Sequence, residues 1–322
     1  MRTLLLDGTN IFIQHYAANP TTDINGTPAG GVVGSLNAIR AIMKKVRPNK
    51  VIFVWDGPNG SIQKRRLFSE YKEGRRNRTI VGRHYQFKDV NAAMENKKWQ
   101  TLQLRNLIDA LPVCQIITDS IEADDAIAYI VNQAESFGHT SNIIATCDKD
   151  FYQLIGDKTV VYNPSTKNLI TENSLVEKTG YHPNNWLFFK SINGDRSDNV
   201  GGVKGVGPKT IAKLFDVSDG GARLTPETIR EVYTNCTDDK LKKKYKKLFD
   251  NIDLIERNWK LMSLEEVMID LGSRQKIFSI IENFIPVMNK TQFYVELVKL
   301  GGLGIPSYFF DEFHILKNKN HH

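Results

Sequence analysis

Hydrophobic residues along the chain fall into short continuous runs that alternate with stretches of helical spacing. Residues 3–6 (Thr-Leu-Leu-Leu), 51–55 (Val-Ile-Phe-Val-Trp), 113–118 (Val-Cys-Gln-Ile-Ile-Thr) and 142–147 (Asn-Ile-Ile-Ala-Thr-Cys) read as strands buried on both faces. Residues 33–46, 102–111 and 126–137 place apolar side chains at three- and four-residue intervals, which predicts helices. Strands alternating with helices predict an α/β fold, a parallel central sheet flanked by helices.

Residues 61 to 100 interrupt this rhythm. They hold Lys64, Arg65, Arg66, Lys72, Arg75, Arg76, Arg78, Arg83, Lys88, Lys97 and Lys98, interleaved with Phe68, Tyr71, Tyr85, Phe87 and Trp99. A connection this long inside a compact domain is either functional or a solvated excursion. Basic residues among aromatics favour contact with a single nucleic-acid strand, through phosphate pairing and base stacking.

From about Tyr181 the character changes again: residues 194–209 are rich in glycine and acid, and mainly helical patterns come after them. Lys240, Lys242, Lys243, Lys244, Lys246 and Lys247 cluster on a predicted helix, where a solvated face and a contact with a duplex backbone are both open. The expected organisation is a core over residues 1–180 and a helical C-terminal region over 181–322.

Composition sharpens this only modestly. The chain has 322 residues, 41% hydrophobic and 25% charged, as expected of a globular protein with a sizeable core. A net charge of +7, with a pI near 9.1, favours an anionic partner. Cys114, Cys147 and Cys236 are scattered and suggest neither a zinc site nor a disulfide framework. The apolar run at Leu4 to Leu6 is cut short by Asp7, unlike a signal peptide, and no run approaches the roughly 20 apolar residues of a membrane span. The expectation is a soluble, cytoplasmic protein with no membrane partner.

The acids carry the chemistry. The first, second and fourth apolar runs end in Asp7, Asp56 and Asp148, with Asp150 two residues on. Ligands of open parallel sheets bind beyond the carboxyl ends of the strands, so neighbouring strands would bring these acids to one edge. Glu122, Asp124 and Asp125 open a predicted helix, where Glu122 and Asp125 can share a face. Each acid alone has a structural explanation as a turn or helix-start residue. Together they would repel strongly without cations. Oxygen ligands with no histidine or cysteine cluster point to Mg²⁺ or Mn²⁺, and their number suggests a pair of ions clamping the attacking and leaving oxygens of a displacement.

Residues 202–210 (Gly-Val-Lys-Gly-Val-Gly-Pro-Lys-Thr) look briefly like a phosphate-binding P-loop, but Pro208 stands where the lysine should follow the glycine and no strand precedes them. A hairpin turn between helices fits better, with Gly205 and Gly207 admitting phosphate and Lys209 at the next helix start. Such a turn holds duplex without reading sequence.

In order along the chain stand Asp7-Gly8-Thr9-Asn10, Trp55-Asp56-Gly57, Tyr71-Lys72-Glu73-Gly74-Arg75, Glu122-Ala123-Asp124-Asp125, Asp148-Lys149-Asp150 with Gln153-Leu154, Gly194-Asp195-Arg196-Ser197-Asp198-Asn199, and then 202–210. This ordered set resembles the flap endonuclease and 5′ nuclease family, which includes the 5′ nuclease domain of bacterial DNA polymerase I and stand-alone phage nucleases with ribonuclease H activity. The resemblance covers residues 4 to about 214, and the segment from about 216 to the C-terminus lies beyond it.

The resemblance implies a structure-specific 5′ nuclease, a 5′–3′ exonuclease and flap endonuclease with ribonuclease H activity among its expected activities, using two Mg²⁺ ions for which Mn²⁺ substitutes. It implies that Asp7, Asp56, Glu122, Asp124 and Asp148 line a first metal site. Asp125, Asp150, Asp195 and Asp198 would line a second or its water shell. Lys72 and Arg75 match the family's basic pair on a helical arch, expected at about 61–100, that contacts the scissile phosphate and the threaded strand. Arg65, Arg66, Lys204, Gly205, Gly207 and Lys209 are expected on DNA, with the helix-hairpin-helix of about 194–215 also holding a K⁺ ion. Expected partners are DNA with 5′ flaps or ends, RNA–DNA hybrids, and replication proteins such as single-strand-binding protein or a polymerase. The protein would act as a monomer in primer removal or repair, in the host cytoplasm if phage-encoded. Two alternatives stay open. A PIN-type ribonuclease shares a small acidic α/β core but needs neither arch nor hairpin, and a non-catalytic branched-DNA-binding protein explains the charge and hairpin but not the acids.

Overall fold

The computed structural model describes residues 1–73, 84–301 and 303–317. A six-stranded sheet organises the chain: β1 (Arg2–Asp7), β2 (Lys50–Trp55), β3 (Cys114–Ile117), β4 (Ser141–Ala145), β5 (Thr159–Asn163) and β6 (Asn168–Ile170), in the spatial order β3-β2-β1-β4-β5-β6. All neighbours pair in parallel except β5 and β6. Register sets Leu4 against Val51 on one side and Ile143 on the other.

Two-residue periodicity divides the apolar runs between two cores. Leu5, Ile52, Val54, Ile116 and Ile144 face one core, and Leu4, Leu6, Val51, Phe53 and Ile143 the other. Helices α1 (Gly8–Ala18), α2 (Gly30–Val46) and α4 (Val90–Asp109) cover the second face; α3 (Ile62–Leu67) lies between α2 and α4 in sequence, and α5 (Ala123–Asn132) covers the first face. The chain continues through α6 (Glu172–Thr179), α7 (Trp186–Asn193), α8 (Pro208–Leu214), α9 (Pro226–Asn235), α10 (Asp239–Phe249), α11 (Ile252–Met262), α12 (Leu271–Glu282) and α13 (Lys290–Lys299). Both cores draw on residues from either side of position 180: Ile255 and Ile277 join the first, while Phe293, Phe309 and Phe313 return to the second.

The structure departs from the sequence pattern in two places. Helix α4 begins at Val90, well before the apolar spacing at 102, so part of the supposed long connection is helix. Its interior position Gln100 is polar and fully buried; the amide accepts from Gly31 N–H at 2.8 Å and donates to the Pro28 carbonyl at 2.7 Å. A hydrogen-bonded glutamine takes the place of an apolar residue there and hides the helical period. Strands β5 and β6 also escaped the pattern. A 3₁₀ turn (Asp150–Leu154) rather than a long helix links β4 to β5, whose apolar run is only Val160-Val161-Tyr162, and β6 is a three-residue edge strand.

Candidate active site

Because β2 and β4 flank β1, their carboxyl ends deliver Asp7, Asp56 and Asp148 to one edge. Asp7 caps α1, accepting from Asn10 N–H at 3.1 Å, and its other oxygen accepts from the Thr146 hydroxyl at 3.0 Å. Asp56 accepts from Ala123 N–H at 2.8 Å, tying the end of β2 to the first turn of α5. Asp148 accepts from Asp150 N–H at 2.9 Å. Asp7, Asp56, Asp124 and Asp148 line one cavity of about 460 Å³, with Lys72 at its wall.

Two carboxylate triads adjoin this cavity. Glu122, Asp124 and Asp125 have ligand oxygens within 4.8 Å of one another, and so do Asp150, Asp195 and Asp198. Each triad rests on a lysine. Lys64, 3% exposed, sits 2.9 Å from Glu122, 3.0 Å from Asp125 and 3.6 Å from Asp124. Lys190 lies 2.6 Å from both Asp150 and Asp195. The buried Tyr71 hydroxyl joins the triads, 3.1 Å from Glu122 and 3.3 Å from Asp198. Lys72 adds a second link, 2.7 Å from Glu122 and 3.9 Å from Asp198, on a backbone of φ 55° whose N–H donates to the Asp198 carbonyl.

Among the described residues nine acids meet three ammonium groups, and the crowding shows in the acids' proton affinities. Burial, then the neighbouring Asp56 charge, pushes Asp7 up to about 8. Burial likewise raises Asp56 and Asp148, with Asp124 adding repulsion in both. Asp125 and Asp150 are raised by burial against the pull of Lys64 and Lys190. Burial would also raise Glu122 and Asp195, but Lys64 and Lys72 hold the first, and Lys190 the second, below the usual carboxylate range. Carboxyls raised by burial and mutual repulsion, offering only oxygen donors at these separations, fit divalent cations of the Mg²⁺ or Mn²⁺ kind.

The glycine-rich segment forms a tight turn beside the second triad. Gly194 has φ 74°, and a Cβ there would lie 2.5 Å from Val200 O, so the loop carrying Asp195 and Asp198 closes only on glycine. Val203 and Val206 anchor the next turn in the core, leaving Lys204, Gly205 and Lys209 exposed at the start of α8. A cavity of about 910 Å³ runs from Lys190 and Asp195 to Gly205 and Gly207.

The structure therefore brings together Asp7, Asp56, Glu122, Asp124, Asp125, Asp148, Asp150, Asp195, Asp198 and Lys72, with Asp125 grouped with Glu122 and Asp124. Arg65 donates to the Tyr71 carbonyl at 3.2 Å, and Arg66 is exposed on α3. Arg75 lies outside the described residues, as do Arg76, Arg78 and Arg83. The aromatics of this region pack inward: Tyr71 against the acids, Phe68 under the Arg257 guanidinium at 4.1 Å, and Tyr85 on the Asn19 and Thr21 carbonyls. Sequence reasoning placed Lys64 on a basic surface and passed over Lys190. The signal for Lys190 was present, a lone lysine inside the apolar helix Trp-Leu-Phe-Phe-Lys-Ser-Ile.

The comparisons with known proteins agree with this arrangement. The family model of the 5′-3′ exonuclease N-terminal resolvase-like domain matches residues 2–180. The chain is 32% identical over 216 residues to thermostable DNA polymerase I of Thermus aquaticus, covering 67% of this chain and 24% of that protein. It is 27% identical over 217 residues to a 5′-3′ exonuclease of Aquifex aeolicus, covering 67% of this chain and 69% of the relative. The chain thus spans about a quarter of the length of the polymerase relative. In fold it is similar to a 5′-exonuclease of phage T5 solved with bound zinc, with TM-score 0.69 and 18% identity over 88% of this chain and 99% of that one. It is also similar to a T5 flap endonuclease solved with DNA and metal ions, with TM-score 0.68 and 19% identity over 88% of this chain and 100% of that one. With its sheet, its strand-end acids and a family match over residues 2–180, the chain belongs to the 5′-3′ exonuclease family.

Proposed function

We propose that this protein is a divalent-metal-dependent 5′ nuclease that cuts phosphodiesters at the 5′ ends and flaps of branched DNA. RNA–DNA hybrids fall within the same substrate class, and primer removal or repair is the setting that uses them. The observation that carries the reading is one groove in which the second acid triad, through Asp195, meets the glycine turn at Gly205 and Gly207. Asp7, Asp56, Glu122, Asp124, Asp125, Asp148, Asp150, Asp195 and Asp198 would hold a pair of Mg²⁺ ions, whose chemistry when bound is a water of lowered pKa and positive charge at the leaving 3′-oxygen.

The chain's own residues do the rest. Lys72, at the wall of the acid cavity, offsets charge developing on the phosphate, the electrostatic role that dominates much of enzyme catalysis. Tyr71 and Lys64 fix the carboxylates so that their oxygens are set before substrate arrives. Lys204, Lys209 and the exposed turn between them grip a duplex backbone without reading bases. The experiment is cleavage of a 5′-flap DNA with and without Mg²⁺, with product ends mapped. Metal-dependent cutting near the flap junction is the expected result. Cleavage of single-stranded RNA alone would favour a PIN-type ribonuclease, and binding without cutting would favour a non-catalytic clamp.

A further inference from the structure

We infer that the lysine face of α10 continues the glycine-turn surface and binds the phosphate backbone of the duplex arm beyond that turn. This rests on the reading of the protein as a nuclease of duplex-bearing substrates and extends its contact surface into the region after residue 216. The six lysines of α10 are not equivalent. Lys242 lies over the Tyr233 ring at 5.8 Å, and Lys246 pairs with Asp250 at 2.7 Å. The other four, Lys240, Lys243, Lys244 and Lys247, are exposed and recur at the three- and four-residue steps that put side chains on one helical face. Among the described residues, none of these four has a carboxylate within ion-pair distance, whereas Lys246 does.

The packing of α10 fixes where this face lies. Leu248 is fully buried, and the Tyr245 hydroxyl donates to the Leu214 carbonyl at 3.0 Å, at the end of α8. The Lys247 ammonium stands 3.1 Å from the point a Cβ on Gly205 would occupy, so the helix ends at the glycine turn. From Lys247 back to Lys240 the face extends about 10 Å, at about 1.5 Å per residue. Duplex DNA carries about one charge per 1.7 Å of axis, so a rod leaving the turn along α10 presents phosphates to all four ammonium groups. None of the four positions is aromatic, which favours a phosphate backbone over unstacked bases.

The test compares Lys240→Gln, Lys243→Gln, Lys244→Gln and Lys247→Gln combined with a control carrying Lys242→Gln and Lys246→Gln. Binding of a 5′-flap DNA is measured in chelator over a salt series, with the duplex arms shortened stepwise. The fourfold variant should bind at least about tenfold more weakly near 0.1 M salt, with a salt slope flatter by about 0.9 per lost contact. The control should stay within about threefold of wild type, as expected of charges outside the contact. Shortening one arm should weaken wild type and leave the fourfold variant little changed. Wild-type affinity and slope in the fourfold variant, or an equal loss in the control, overturns the inference. Metal-dependent cutting by the wild type is followed in parallel. If it cuts while the fourfold variant binds normally, only the lysine face is wrong; if it binds through that face but never cuts, only the nuclease reading is wrong.

Discussion

The Lys72 ammonium lies 2.7 Å from the Glu122 carboxylate, 50 residues away in the chain, and so stands inside the acid cluster rather than out on a solvated loop. An exposed lysine on a flexible loop would contribute little when removed. A lysine at the wall of the cavity that holds Asp7, Asp56, Asp124 and Asp148 is placed to meet a phosphate drawn in by the cations that those acids would hold under the proposed function. Lys72→Ala should therefore slow single-turnover cleavage at saturating enzyme by roughly 10²–10³, the loss typical of one transition-state donor. Binding of the flap substrate should change much less, since a contact made mainly in the transition state lowers kcat and kcat/KM together. Full rate at saturation would reduce Lys72 to a binding residue.

Much of this site could be read from the sequence because its acids sit at the ends of apolar runs. A run of Leu-Leu-Leu or Val-Ile-Phe-Val-Trp declares a buried strand, and the aspartate that stops it declares the strand's carboxyl end. Convergence of the three acids then required one assumption, that β1, β2 and β4 are neighbours, which the sheet order satisfies. The counter-charges could not be read this way. Lys64 meets Glu122 across 58 residues, and in sequence it is indistinguishable from its neighbours Arg65 and Arg66. Gln100 misled in the same manner: its partners Pro28 and Gly31 are supplied by tertiary packing, not by the local pattern. The lysines of α10 were visible as a cluster, but the side-chain contacts of the fold, Lys242 over the Tyr233 ring and Lys246 on Asp250, separate those two from the other four.

Removing a carboxylate from the crowded edge separates catalysis from stability. Asp148→Asn should abolish Mg²⁺-dependent cleavage while leaving the fold intact. Burial and Asp124 raise the Asp148 carboxyl, so replacing it with a neutral amide relieves repulsion. The amide oxygen still accepts from Asp150 N–H, which Asp148→Ala would leave unpaired. The melting temperature in chelator should hold or rise. Near-normal turnover at saturating Mg²⁺ would remove Asp148 from the metal site.

Stability without divalent ions should depend on pH with an unusual sign. Asp7 keeps its proton in the folded chain up to about pH 8, against 3.8 for the ordinary carboxyl. The folded state binds the extra proton across that window, so stability falls as pH rises through it. Asp125 and Asp150, also raised, act in the same direction. Glu122 and Asp195 act oppositely: held low by lysines, they contribute stability that is lost as pH falls below the ordinary carboxylate range. The melting temperature in chelator should peak in mild acid and decline towards pH 8, each kcal/mol lost lowering it by roughly 2–4 °C. Asp7→Asn should flatten the decline, and Mg²⁺ should raise the melting temperature more at pH 8 than at pH 5. A melting temperature in chelator that climbs steadily to pH 8 would mean the acids are already neutralised.

Gly205 and Gly207 differ in a way that makes one of them a clean probe of DNA contact. Gly205 has φ 74°, so any side chain there strains the turn whatever it touches. Gly207 has φ −113° and ψ −178°, an extended conformation that any residue adopts, and a Cβ there would meet nothing within 4 Å. Gly207→Val should therefore fold with little loss, its cost limited to about 1 kcal/mol for a poorer helix N-cap. If the turn presents its backbone to phosphate, the branched side chain will stand between them and weaken binding of flap substrates that carry duplex. Bare single strands, which do not need the turn, should bind as before. Lys204 and Lys209 flank the same surface, so the variant should also bind with a flatter salt dependence as those contacts are pushed away. The measurement is a paired titration of duplex-bearing and single-stranded DNA against wild type and variant, with melting temperatures taken alongside. Equal weakening on both substrates, or none on either with the fold intact, would leave the turn a structural hairpin and move the duplex contact elsewhere.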